Sequence, residues 1–129
     1  MAHLTLEYSA NLRDTGEFKQ LCHDLAASLL SQKVYPIGGV RVRALPCEDY
    51  CVADGSLADA GFVHGTLKIG AGRSDAVKQK TLDDLFSVMK NHFATQFSKQ
   101  GLALSLELYE FSEAGALKHN NLHTLFKKD

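Results

Sequence analysis

Apolar and polar residues alternate at the start of the chain. Leu4, Leu6 and Tyr8 fall on one side; His3, Thr5 and Glu7 fall on the other. A period of two is that of a half-buried strand, so His3–Tyr8 predicts the first one. From Glu17 to about Lys33 the spacing changes. Phe18, Leu21, Cys22, Leu25, Ala26, Leu29 and Leu30 recur at intervals of three and four, the stripe of an amphipathic helix. The stretch YPIGG (Tyr35–Gly39) ends it with a proline and two glycines.

The rhythm then repeats. Val40–Leu45 predicts a second strand, with Val40, Val42 and Ala44 on one face and Arg41, Arg43 and Leu45 on the other. A long polar connection, Cys47–Ala60, carries Asp54-Gly55 as a turn signal. Phe62–Ile69 predicts a third strand. After a glycine turn, Ser74 suits a helix N-cap and Asp75 the first turn. One helix is expected from there to about Lys99, with Val77, Leu82, Leu85, Phe86, Met89, Phe93 and Phe97 facing inward and Gly101 as its stop. Leu102–Tyr109 predicts the fourth strand. The polar tail from Phe111 carries Leu117, Leu122, Leu125 and Phe126 as apolar anchors, and the part around Leu122, Leu125 and Phe126 is expected to pack on a neighbouring copy.

The fold class is therefore α/β (α+β): two β-α-β units in one four-stranded sheet, with both helices on one face. Right-handed crossovers would make the strands of each unit parallel. A ferredoxin-like split βαβ domain has the same element order with antiparallel pairing, and periodicity leaves both open. The leucine-rich strands imply apolar surface on the second face, and so association of sheets.

A length of 129 residues fits a single domain, 1–129. A net charge of −1 excludes the basic footprint of general nucleic-acid or membrane-surface binding. No apolar run is long enough to span a membrane. The start, MAHLTLEYSA, lacks the basic and apolar regions of a signal peptide, so a cytoplasmic protein is expected. Three cysteines make no even disulfide framework. Cys47 and Cys51, with Glu48, Asp49 and His64, match no zinc spacing, and no metal or cofactor is expected.

The stretch TLKIGAGRSD (Thr66–Asp75) carries the clearest chemistry. Glycines allow close approach of backbone, a helix N-terminus offers free N–H groups, and Arg73 adds a planar fork. Arg41 and Arg43, two apart on a strand, project from the same face. Together these arginines suit a carboxylate-rich small molecule. The blander possibility is that they solvate a sheet edge or pair with Glu107 and aspartates.

Four segments carry a resemblance: YPIGGVRVR (Tyr35–Arg43), FVHGTLKI (Phe62–Ile69), KIGAGRS (Lys68–Ser74) and KHNNLHTLFK (Lys118–Lys127). In this order, nearly end to end, the chain resembles the 5-carboxymethyl-2-hydroxymuconate isomerase family, a branch of the tautomerase superfamily. The resemblance implies a homotrimer, three sheets forming the inner core and six helices outside. It also implies cofactor-free keto–enol isomerisation of a small unsaturated di- or tricarboxylate from aromatic catabolism (the homoprotocatechuate route).

Arg41 and Arg73 match arginines of the family's active site; Arg43 matches a further arginine, and with His3 is expected to bind substrate. One position departs. The family's catalytic base is an amino-terminal proline, bared when the initiator methionine is removed, and this chain has Ala2 there. Removal of Met1 would leave Ala2 a primary amine, with a reference pKa of about 7.7–8.0. Retention would leave its nitrogen an amide that takes no proton, and the chain a trimeric anion-binding protein without a base.

Overall fold

A computed structural model describes residues 1–127. Its strands are β1 (Ala2–Ser9), β2 (Val40–Cys47), β3 (Gly61–Gly70) and β4 (Leu102–Phe111). Its helices are α1 (Phe18–Ser31), α2 (Asp75–His92), α3 (Ala94–Lys99) and α4 (Leu122–Phe126). The four-stranded sheet has the order β2-β1-β3-β4. β1 pairs with β2, and β3 with β4, in parallel, and the two units join through the antiparallel pair β1–β3. Each long helix thus returns the chain beside the strand it left, which removes the ferredoxin-like alternative.

The core is the apolar face of that sheet under α1 and α2. Leu4 and Leu6 of β1, Val63, Leu67 and Ile69 of β3, Leu21, Leu25 and Leu29 of α1, and Leu85 and Met89 of α2 are fully buried. Tyr8 stacks on Phe18 with ring centroids 3.7 Å apart. Gly65 keeps β3 thin here: a Cβ would stand 2.8 Å from Leu106 Cδ1. Ser74 caps α2, its Oγ accepting from the Val77 N–H at 3.2 Å.

Two expectations are corrected. First, the helix from Asp75 is not one piece. Phe93, at φ −99° and ψ 14°, leaves helical geometry between α2 and α3. Phe93 is buried, but the last turn is re-aimed and Phe97 is 63% exposed rather than inward. Second, the leucines of β4 lie partly buried against the core, not on the open face of the sheet. The register Val63↔Leu104, Gly65↔Leu106 and Leu67↔Leu108 places them on the helix-covered face. The opposite face is largely polar, with His3, Thr5, Arg41, Arg43, Thr66, Lys68 and Glu107 on adjoining strands. His64 joins Ser105 at 2.6 Å and Glu107 at 3.0 Å across it. Within the chain, the tail docks on the turn before β2. α4 rests on the 3₁₀ turn Ile37–Gly39, where a Cβ on Gly38 would lie 2.7 Å from the His123 backbone nitrogen. Leu117, Leu125 and Phe126 are exposed.

Candidate functional site

The site lies at the head of β1, a strand hydrogen-bonded on both sides. Ala2 pairs with Val40 of β2 and Ile69 of β3, and its side chain is fully buried. With Met1 in place, the Ala2 nitrogen is a peptide nitrogen and the free amine belongs to Met1. Gly39 makes room for that start: a Cβ there would stand 3.1 Å from Met1 Cα and 3.5 Å from its nitrogen.

Arg73 reaches this point from the end of β3. Gly72, at φ +118°, has a conformation that L side chains rarely adopt, so the turn needs glycine. Beyond it the Arg73 guanidinium folds back, donating from one Nη to the Gly70 carbonyl at 3.2 Å and from the other to the Val34 carbonyl at 2.8 Å. Its Cζ lies 4.6 Å from the centre of the Tyr35 ring. The arginine therefore ties the β3–α2 turn to the loop entering β2.

Arg41 reaches it from β2. The parallel register sets Arg41 beside His3 and Arg43 beside Thr5. Arg41 Nη1 stands 3.5 Å from His3 Nε2, a long contact. The His3 imidazole is held below its usual pKa by burial, then by the charges of Arg41, Arg43 and the chain-start amine. The Met1 amine is likewise held below its ordinary value, first by burial, then by Arg73, Lys118 and Arg41. Both groups are thereby biased toward their neutral, proton-accepting forms.

A cavity of about 750 Å³ opens from the chain start. The outer sheet face forms one wall through His3, Thr5, Arg43, Thr66 and Lys68, and the segment Phe111–Lys118 forms the other. Met1 lines it at the chain start. Of the residues expected from sequence, His3 and Arg43 line the cavity, while Arg41 and Arg73 act on the amine at its mouth. Ala2 sits behind Met1 in the strand.

Two further cations, Lys68 and Lys118, escaped the sequence reading. Lys68 is found only by register, opposite His3 across the β1–β3 pair. Lys118 arrives from a tail with no periodic signal. Guanidinium and ammonium groups gathered around one opening can attract a polycarboxylate. A neutral amine among them can accept a proton from carbon acidified by that binding.

The model of the family described as 5-carboxymethyl-2-hydroxymuconate isomerase matches residues 2–126. A 5-carboxymethyl-2-hydroxymuconate Delta-isomerase of Escherichia coli is 37% identical over 127 residues, covering 98% of this chain and all of that one. The crystal structure of a 5-carboxymethyl-2-hydroxymuconate isomerase from Deinococcus radiodurans R1 superposes with a TM-score of 0.93 at 46% identity, covering 98% of this chain and 95% of that one. The fold alone extends to the symmetric trimer of a fused 4-OT protein, with a TM-score of 0.65 at 16% identity, covering 91% of this chain and 93% of that one. A family match over nearly the whole chain, on this fold and around this cationic opening, makes the chain a member of the 5-carboxymethyl-2-hydroxymuconate isomerase family.

Proposed function

We propose that this isomerase shifts a double bond in a muconate-type enol acid such as 5-carboxymethyl-2-hydroxymuconate, with the α-amine at the head of β1 as its proton carrier. The observation that carries the reading is where the chain starts: the Met1 amine, one residue ahead of Ala2, stands at the mouth of a cavity and is lowered in pKa by burial, then by Arg73, Lys118 and Arg41. The proton carrier is the amine of Ala2, released by loss of Met1. Met1 lines the cavity; its departure enlarges the space open to substrate and opens the Ala2 nitrogen onto it.

The steps follow from charge. Arg41 and Arg73 hold the carboxylate nearest the amine, and Arg43, with neutral His3, holds the remote end. The amine removes a proton from carbon conjugated to the carbonyl. The electrons move into a dienolate, whose oxygen the guanidinium groups stabilise as charge develops. The ammonium then returns the proton to another carbon of the same conjugated system, and the double bond has moved.

The working unit is a homotrimer. The fold it shares with a trimeric 4-OT protein supports this, as do the unpaired outer edges of β2 and β4 and the exposed Leu117, Leu125 and Phe126. The compartment is the cytoplasm, in keeping with free thiols at Cys22, Cys47 and Cys51.

The test pairs an ultraviolet assay of enol-acid conversion with the intact mass of the protein. Turnover by chains that have lost Met1, and almost none by chains that keep it, is the expected result. Equal turnover by both would remove the Ala2 amine from the mechanism.

A further inference from the structure

We propose that Tyr35 is a positioning residue for Arg73, clamped from behind by Thr81 of α2; this rests on the reading that Arg73 engages the substrate carboxylate. Tyr35 lies in the loop between α1 and β2, and only 4% of it is exposed. Its hydroxyl meets Thr81 Oγ1 at 2.8 Å inside the core. Thr81 has one proton and donates it to the Val77 carbonyl at 2.9 Å, one helical turn back. The phenol proton is therefore the one shared between them, and Tyr35 is the donor. The ring is held at both ends, by its own backbone and by α2.

That fixed ring is what the Arg73 guanidinium lies over, with Cζ 4.6 Å from the centroid. The contact matters because of what Arg73 otherwise hangs from. It follows Gly70-Ala71-Gly72, a turn in which Gly72 is at φ +118° and nothing lies within 4 Å of its Cβ position. Two in-plane N–H bonds, to the Gly70 and Val34 carbonyls, set the rotation of the guanidinium. The aromatic face sets its tilt and consumes no donor. Of the five N–H groups on an arginine, those not given to the two carbonyls stay aimed for an anion. Tyr35 thereby keeps Arg73 beside the chain-start amine as a charge that lowers its pKa. The other groups facing that amine are Lys118, Arg41 and His3.

The experiment uses the full-length protein, with adipate as a competitive dicarboxylate probe. The amine pKa is read by NMR after reductive methylation with ¹³C-formaldehyde. Tyr35→Leu is expected to weaken adipate about tenfold, the size of a partly desolvated cation–π contact, and to move the amine pKa upward. Tyr35→Phe, which keeps the ring face, should stay within about threefold of the parent. Thr81→Val, which keeps the volume and frees the phenol, should fall between them and serves where Tyr35→Leu does not fold. In an Arg73→Ala background, Tyr35→Leu should add nothing to either readout.

A folded Tyr35→Leu protein with parental adipate affinity and amine pKa would overturn the proposal. So would losses that simply add in the double variant, or a Thr81→Val protein indistinguishable from the parent. If Arg73→Ala itself leaves adipate binding unchanged, the carboxylate role of Arg73 fails and Tyr35 falls with it. An effect of Arg73→Ala without one from Tyr35→Leu overturns the positioning role alone.

Discussion

Replacing Ala2 by proline is the sharpest perturbation available. In a chain that has lost Met1, the residue 2 nitrogen is terminal, so proline removes no peptide N–H from the ladder. A strand's first residue also tolerates its restricted φ. Ala2 is 0% exposed between Val40 and Ile69, so the added ring carbons either enter the core or turn toward the space Met1 occupied beside Gly39. The first outcome costs about 1–3 kcal/mol of stability by overpacking, and the second less. Against that stands the chemistry. A primary amine rotates freely and is well hydrated; a ring nitrogen is aimed, and its charged form is more easily destabilised by burial.

A well-placed general base contributes about 10²–10⁴-fold, or roughly 3–5 kcal/mol of barrier, so Ala2→Pro should recover most of that range. The assay is the ultraviolet change of the enol acid under kcat/KM conditions, with intact mass confirming Met1 loss in both proteins. Light scattering should show the same assembly. If the Ala2 chain is already as fast as its proline variant, the amine is not the limiting base, and His3, neutral and on the cavity wall, is the next residue to change.

Other outcomes follow from the same geometry. The base works unprotonated, and burial, Arg73, Lys118 and Arg41 all lower the Met1 amine, one residue ahead of Ala2; the same surroundings should lower the Ala2 amine once Met1 is lost, so kcat/KM should rise with pH along an acid limb below the ordinary α-amine range. Arg73→Ala removes the largest of those charge effects and should move that limb upward; an unmoved limb would place Arg73 away from the amine. Gly38→Ala drives a Cβ to 2.7 Å from the His123 nitrogen and 2.9 Å from its Cα, and should cost about 1–3 kcal/mol in a denaturant melt; a parental melt would mean α4 is not seated there. Phe93→Ala should cost about 3–5 kcal/mol in the same melt. Phe97→Ser, at an exposed position, should stay within about 0.5 kcal/mol, and the reverse ranking would contradict the helix break. Light scattering at micromolar concentration should give about three times the 14.1 kDa chain mass, and a stable monomer would remove the trimer from the proposal.

Local pattern determined the elements. Leu4, Leu6 and Tyr8 alternate because a pleated strand turns every second side chain to the core, and Leu21, Leu25 and Leu29 recur because a helix returns to its buried face every 3.6 residues. Ser74 and Asp75 marked the start of α2 through capping chemistry that involves only neighbours in sequence. Arg41, Arg43 and Arg73 stood out as candidate anion ligands from residue type and local spacing, and resemblance supplied the family roles it implies for them.

What needed the tertiary structure was everything decided between segments distant in sequence. Periodicity is identical for parallel and antiparallel neighbours, so only the hydrogen-bonded register separates the two topologies. That same register turns the leucines of β4 under the helices and leaves the outer face to His3, Arg43 and Lys68. Phe97 fits the helical stripe in sequence, and only the backbone at Phe93 takes it off. Lys118 and Tyr35 carry no local signature of a site. Lys118 gains its place because α4 docks on Gly38 and brings the preceding tail over the sheet, and Tyr35 because a hydroxyl on α2 and a guanidinium after β3 meet on either side of its ring. Such meetings depend on the path of the whole chain through space, which no stretch of residues encodes by itself.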